Sequence, residues 1–228
     1  MTMVSVAFIC DRHYVIATAV AITSLICNKK SDTRYKVFII TADLVEPDID
    51  KFYAFKDNNI DIHIITATTE KYEGLQQHPH ITITTYLKFD LPELIPEEEK
   101  VLYLDSDVII QKDLTALFEI NINDYYAAAI KDLPLIDNSI NIKNYFNAGV
   151  MLLNLKLMRE KNISTLLLNT AKSKYKLTYQ DQDCLNICFD ERVRMLPLTY
   201  NYFYHLFSQQ KKKYSIENIN KHFGTNYL

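Results

Sequence analysis

Glycine is nearly missing from this chain: 228 residues contain only Gly74, Gly149 and Gly224. A dinucleotide-binding fingerprint or a phosphate-binding P-loop needs several glycines clustered just after a strand. Three scattered ones write neither, so a nucleotide bound here must be held through side chains and a metal ion. Basic excess is missing too. Lys and Arg number 25 against 28 Asp and Glu, a formal net charge of −3, which argues against nucleic acid as a main partner. Tryptophan is absent and no Cys-x-x-Cys pair occurs. The four cysteines, Cys10, Cys27, Cys184 and Cys188, sit in apolar or helical patterns and read as buried thiols from a reducing compartment. The apolar stretch Val15 to Cys27 is too short to span a bilayer. The start of the chain lacks a basic segment and meets Asp11 after its first apolar run, so it does not read as a signal peptide. The expected location is the cytoplasm.

What is present is organised around residues 101–110, Val-Leu-Tyr-Leu-Asp-Ser-Asp-Val-Ile-Ile. An apolar strand pattern runs into two carboxylates, Asp105 and Asp107. At spacing i, i+2 on an extended strand both side chains point to the same side. Carboxylates so placed are costly to desolvate without a positive partner, and they suit a hard divalent cation with a phosphate cargo. The competing reading is a surface turn that happens to carry Asp-Ser-Asp.

Around this stretch the chain alternates strand and helix patterns. Val4 to Cys10 reads as a strand, Asp11 to Tyr14 as a polar turn, and Val15 to Cys27 as a helix. Lys36 to Thr41 is a second strand, Asp43 to Asn58 its helix, and Ile60 to Thr66 a third strand. The alternation predicts an α/β fold: one Rossmann-like, mostly parallel mixed sheet flanked by helices, in a single domain over 1–228. In such sheets ligands gather beyond the carboxyl ends of the strands, which places Asp11 and Asp105 on one crevice.

Thr84 to Phe89 reads as a helix leading to Pro92. Lys88 on it is a solvated lysine by position alone, or a group that reaches a phosphate. Leu114 to Ile120 suggests a short helix and Tyr126 to Ile130 a strand. Residues 132–145 read as an irregular loop over the crevice. Phe146 to Asn154 begins small and polar and becomes an apolar strand, its Ala148-Gly149 step allowing close approach of a ligand or backbone. Tyr179 to Asn186 opens a helix whose first turn carries Asp181, Gln182 and Asp183; capping explains one Asp, not the run. The aromatics Tyr200, Tyr202, Phe203, Tyr204 and Phe207 read as core, or as a platform for a sugar ring. Lys211 to Lys213 read as a solvated cluster, with weak peripheral contact at the inner face of the cytoplasmic membrane as the alternative. His78-Pro79-His80 is too short and isolated for a metal site.

In order, these motifs resemble the retaining glycosyltransferases of family 8, which include glycogenin and the bacterial lipopolysaccharide galactosyl- and glucosyltransferases. The carrying residues are Asp11 and Tyr14, Thr85-Tyr86-Leu87-Lys88, Leu102 to Asp107, Phe146-Asn147-Ala148-Gly149-Val150, Tyr179 to Asn186, and His222-Phe223-Gly224. The resemblance implies a GT-A fold and Mn²⁺, with Mg²⁺ as a substitute. It implies UDP-galactose or UDP-glucose as donor, a glycan or glycolipid acceptor, and retention at the anomeric carbon. By position, Asp105, Asp107 and His222 hold the metal. Asp11 and Tyr14 lie against uracil and ribose. Lys88, Ser106, Asn147, Ala148 and Gly224 belong to the donor site. Asp181, Gln182 and Asp183 hold the sugar and face the reacting carbon.

The chain departs from the family pattern in three places. His13 stands where relatives often have Asn. Lys88 stands where bacterial members often have Arg, keeping the charge and losing the bidentate fork. His222-Phe223 is followed at once by Gly224, with no Lys-Pro-Trp after it and a shortened tail. Two functions are therefore expected, an active hexosyltransferase or a UDP-sugar-binding remnant with little turnover. A nucleotidyltransferase would need the glycine-rich loop this chain lacks. Because the position facing the reacting carbon is the amide Gln182, a poor nucleophile, same-face attack by the acceptor is expected over a double displacement.

Overall fold

The computed structural model describes residues 2–75, 82–132, 142, 144–173 and 177–202. Among these residues seven strands form one mixed sheet: β1 (Thr2–Ile9), β2 (Thr33–Thr41), β3 (Ile60–Thr66), β4 (Val101–Leu104), β5 (Ala127–Lys131), β6 (Phe146–Leu153) and β7 (Val193–Leu196), in the spatial order β3-β2-β1-β4-β6-β5-β7. Every neighbouring pair is parallel except β4–β6 and β6–β5. Strand β6 therefore runs against the rest and brings its N-terminal residues to the edge where β1 and β4 end.

The strands are apolar on both faces, as a sheet covered on both sides requires, and alternate residues feed two separate cores. Val6, Phe8, Val37, Ile39, Leu102 and Leu104 pack under α1 (Val15–Asn28), α2 (Glu46–Tyr53) and the region of α4 (Thr115–Phe118). Ala7, Ile9, Phe38, Ile40, Tyr103 and Met151 face the other way. There they meet the 3-10 helix Ile83–Asp90 and the helices α3 (Leu91–Leu94), α5 (Leu155–Glu160), α6 (Ile163–Ala171) and α7 (Gln180–Phe189).

Two expected elements take another form, and α5, α6 and β7 have no counterpart in the sequence reading. Helix α2 is eight residues, not the sixteen of Asp43 to Asn58. Thr41 Oγ1 holds the amides of Asp43 and Leu44 in a turn before it. Asp57 Oδ1 accepts from the amides of Asn59 and Ile60 after it, the self-turning habit of Asp-Asn runs. The Thr84–Phe89 segment is a 3-10 helix, not an α-helix. At three residues per turn, i and i+3 eclipse. Tyr86 and Phe89 thus share one edge, stacked and edge-on against Tyr72 at 5.5 and 6.1 Å between ring centroids. Thr82, Thr85 and Lys88 share another.

Cys10 and Cys184 are buried as expected, with thiols pushed up by burial, Cys10 to about 11. Cys27 is exposed on the outer face of α1 and corrects the reading of four buried thiols. Tyr202 is 55% exposed, so the core reading of the aromatic run fails at that residue; Phe203, Tyr204 and Phe207 lie outside the described residues. No helix among the described residues is long and apolar enough to cross a membrane.

Candidate active site

The carboxyl ends of parallel β1 and β4, the reversed start of β6, the 3-10 helix and the first turn of α7 converge on one cavity of about 320 Å³. Asp11, Tyr14, Lys88, Asp105, Ser106, Asp107, Ala148, Asp181 and Gln182 line it, with Thr82, Thr84, Thr85, Tyr103, Gly149 and Tyr179. Asn147 and Asp183 stand behind the lining. The loop 132–145 is described only at its ends, and His222, Gly224, Lys211–Lys213, His78 and His80 lie outside the described residues.

The Asp105-Ser106-Asp107 stretch is not extended strand. β4 stops at Leu104 and the chain turns at Ser106 and Asp107. The cause lies in two capturing bonds. The Asp105 amide makes one last ladder bond to Gly149 O at 2.7 Å, and Ser106 Oγ then donates to Ile9 O at 2.8 Å. A turn, not strand alternation, brings both carboxylates to the cavity.

Tyr103 points to the same side as the cavity. Its hydroxyl donates to Asp105 Oδ1 at 2.6 Å, and burial with the nearby carboxylates pushes its phenol well above the usual range, so it stays a donor. On the far side of Asp105, Gly149 makes room: a Cβ there would lie 2.8 Å from Asp105 Oδ2. Asp107 is pushed up by burial and then by the charge of Asp105, with Lys88 opposing.

Lys88 overturns the reading of a solvated lysine. It is 5% exposed, and its Nζ lies 2.6 Å from Asp181 Oδ2 and 3.3 Å from Asp105 Oδ1, over the Tyr103 ring. Burial pulls the ammonium down, but the charges of Asp105 and Asp181 outweigh it and the group is raised overall. Asp181 is pushed up by burial while Lys88 and the Thr85 hydroxyl pull it back.

Asp181 reaches Lys88 because α7 opens sharply. Gln180 adopts a left-handed backbone, φ 36°, a strain of about 1–3 kcal/mol that the buried first turn holds in place. Asp183 Oδ2 accepts from the amides of Thr178 and Tyr179, and its Oδ1 accepts from Tyr145 Oη at 2.5 Å. The capping reading thus accounts for Asp183 and the ion pair for Asp181. Gln182 spends its whole amide. Oε1 accepts from Ala148 N at 2.9 Å and Asn147 Nδ2 at 3.3 Å; Nε2 donates to Asp132 Oδ2 at 2.9 Å and Tyr145 Oη at 3.2 Å. Asp11 is equally committed. Its Oδ1 accepts from the amides of His13 and Tyr14, and its Oδ2 from Thr82 Oγ1.

The sequence reading missed Tyr103, Thr82, Tyr145 and Asp132. Only Tyr103 carried a signal, as the one polar side chain within an otherwise aliphatic strand.

Among the described residues, four carboxylates (Asp11, Asp105, Asp107, Asp181) face one ammonium across this cavity. That excess of negative charge, with hard oxygen donors at Asp105 and Asp107, fits a divalent cation. Among the described residues no group of three His, Cys, Asp or Glu is gathered for a metal; the expected third ligand, His222, lies outside them.

A model of glycosyl transferase family 8 matches residues 5–223. The glycosyltransferase GlyF of Streptococcus pneumoniae is 30% identical over 201 residues, covering 87% of this chain and 48% of that protein. The lipopolysaccharide 1,2-glucosyltransferase of Escherichia coli K12 is 27% identical over 223 residues, 92% of this chain and 65% of that protein. The chain therefore spans about half the length of GlyF and about two thirds of the E. coli enzyme. The crystal structure of the galactosyltransferase LgtC with donor and acceptor sugar analogues superimposes with a TM-score of 0.81 at 26% identity, over 98% of this chain and 84% of that one.

Proposed function

The chain belongs to glycosyl transferase family 8, and from that premise we propose that it moves galactose or glucose from a UDP-sugar to a glycan or lipopolysaccharide-type acceptor, with retention at the anomeric carbon. The observation that carries the proposal is the carboxylate-rich cavity where Asp105, Asp107, Asp181 and Gln182 meet at the strand ends.

In this reading Asp11 and Tyr14 take the nucleoside end of the donor, and Ala148 and Asn147 the region of ribose and sugar. Asp105 and Asp107, with His222 as third ligand, hold Mn²⁺ or Mg²⁺, which when bound neutralises charge on the departing diphosphate as a Lewis acid. Asp181 and Lys88 form a buried charged wall beside the sugar, where a dry site makes electrostatic support of an oxocarbenium-like transition state effective. Both acceptor positions on the Gln182 carbonyl are already filled by Ala148 N and Asn147 Nδ2. An amide so engaged is a poor nucleophile, which supports same-face attack by the acceptor hydroxyl with its proton passing to the departing phosphate. A glycosyl–enzyme adduct seen by intact-mass spectrometry refutes that route.

The test is release of UDP from a panel of UDP-sugars, with Mn²⁺ and with EDTA. Mn²⁺-dependent release with UDP-galactose or UDP-glucose, lost in Asp107→Asn, is the expected result. Binding of UDP-sugar without release supports instead the reading of a UDP-sugar-binding protein with little turnover.

A further inference from the structure

We propose that Tyr103 is a positioning residue for the cation-binding carboxylate: its hydroxyl holds Asp105 by one oxygen and so presents the other to a divalent metal ion. The inference rests on the reading of Asp105 and Asp107 as cation ligands and adds a residue that reading does not contain.

The geometry is one-sided. Asp105 Oδ1 accepts the Tyr103 hydroxyl at 2.6 Å and lies 3.3 Å from Lys88 Nζ. Asp105 Oδ2 faces the bare Cα of Gly149 and, among the described residues, accepts no hydrogen bond. The carboxylate is thus pinned by one oxygen while the other stays open to the cavity. Lys88 is itself located by Tyr103, its ammonium 4.8 Å from the ring centroid.

Packing alone does not explain the hydroxyl. Tyr103 is 2% exposed in the core beneath the cavity, and phenylalanine would fill the same volume without a polar atom to desolvate. The ring already supports Lys88; the hydroxyl adds a contact to Asp105. Groups of this kind fix the orientation of a ligating side chain in advance, and removing them typically weakens metal affinity by about 10–100-fold.

The experiment is a Mn²⁺ titration of the full chain followed by loss of the free-ion electron paramagnetic resonance signal. Wild type, Tyr103→Phe and Asp107→Asn are compared, and UDP binding in EDTA is measured alongside. We expect Tyr103→Phe to weaken Mn²⁺ at least about tenfold and to leave metal-free UDP binding within twofold, a split that a general loss of structure would not produce. Wild-type affinity in Tyr103→Phe overturns the proposal while leaving the cation reading intact. Failure of the wild type to bind Mn²⁺ overturns both. Should Tyr103→Phe not fold, a fluorinated tyrosine placed at position 103 alone decides the question. Its fluorine resonance must shift when Mg²⁺ is added, and an unmoved resonance refutes the proposal.

Discussion

Replacing Lys88 by methionine keeps an unbranched side chain, one atom shorter, and removes its charge. In the native chain the Lys88 side chain is 6% exposed and its ammonium sits 2.6 Å from the carboxylate of Asp181, whose side chain is also 6% exposed, and 3.3 Å from Asp105, whose side chain is 39% exposed. Breaking a buried pair by removing one partner costs about 3–5 kcal/mol, because the other charge is left uncompensated. Asp105 can regain water, so the deficit falls mainly on Asp181. Burial of the methionine chain offsets about 1 kcal/mol. The expected net loss is ~3 kcal/mol at pH 8, or a fall in Tm of roughly 6–12 °C for a chain of this size.

The pH dependence has a definite sign. Burial already raises Asp181, and Lys88 and Thr85 pull it back. Without Lys88 the carboxyl rises further. A carboxyl raised in the folded state keeps its proton at pH values where the unfolded chain has lost it. Stability of the variant therefore falls as pH climbs from the ordinary Asp range near about 4 toward the raised value, and the deficit against wild type narrows on acidification. Urea unfolding at pH 8 and pH 5 measures both effects, and Lys88→Met/Asp181→Asn should recover to within about 1 kcal/mol of wild type, since neither charge is then left alone. Equal urea midpoints for wild type and Lys88→Met at pH 8 would refute the account of a desolvated pair.

Gly149→Ala places a Cβ 2.8 Å from Asp105 Oδ2, so UDP release should drop at least about tenfold, as a misplaced reacting group costs up to about a hundredfold; turnover within twofold of wild type would mean that Asp105 does not need that space. Asn186→Leu removes the buried amide that accepts from Phe146 N at 2.7 Å and donates to Phe146 O at 2.9 Å. Stranding two backbone groups at about 1–3 kcal/mol each predicts a loss of about 2–6 kcal/mol in urea unfolding. Thr82→Val deletes the 2.9 Å bond to Asp11 Oδ2; it should cost about 1 kcal/mol of stability and weaken UDP binding by calorimetry, with no change in Mn²⁺ affinity.

Much of the architecture was legible because its signals are local. Apolar runs bounded by Asp, Asn and Pro marked six of the seven strand regions, all but the short β7 at Val193–Leu196, and strand–helix alternation implied parallel pairing with ligands at the carboxyl ends. The direction of β6 was not legible. Phe146 to Leu153 is buried along nearly its whole length, and a strand apolar on both faces carries no pattern that distinguishes parallel from antiparallel neighbours. The motif at 105–107 was found for its composition, while its backbone was misjudged, since the turn depends on Ile9 O, 97 residues away from Ser106.

The amino-acid order by itself determined which chemistry is available: carboxylates at the tip of an apolar strand, an Asp-Gln-Asp run opening a helix, and too few glycines to cradle phosphates with backbone. Burial and partnership were decided only by the tertiary structure. Lys88 reads as a solvent group until the fold sets Asp181, 93 residues on, against it. Asp183 reads like its neighbour Asp181 until the backbone of Thr178 and Tyr179 claims it. Short-range pattern records whether a side chain is polar. Which charge or amide it will meet depends on contacts that close only when distant segments pack together and exclude water between them.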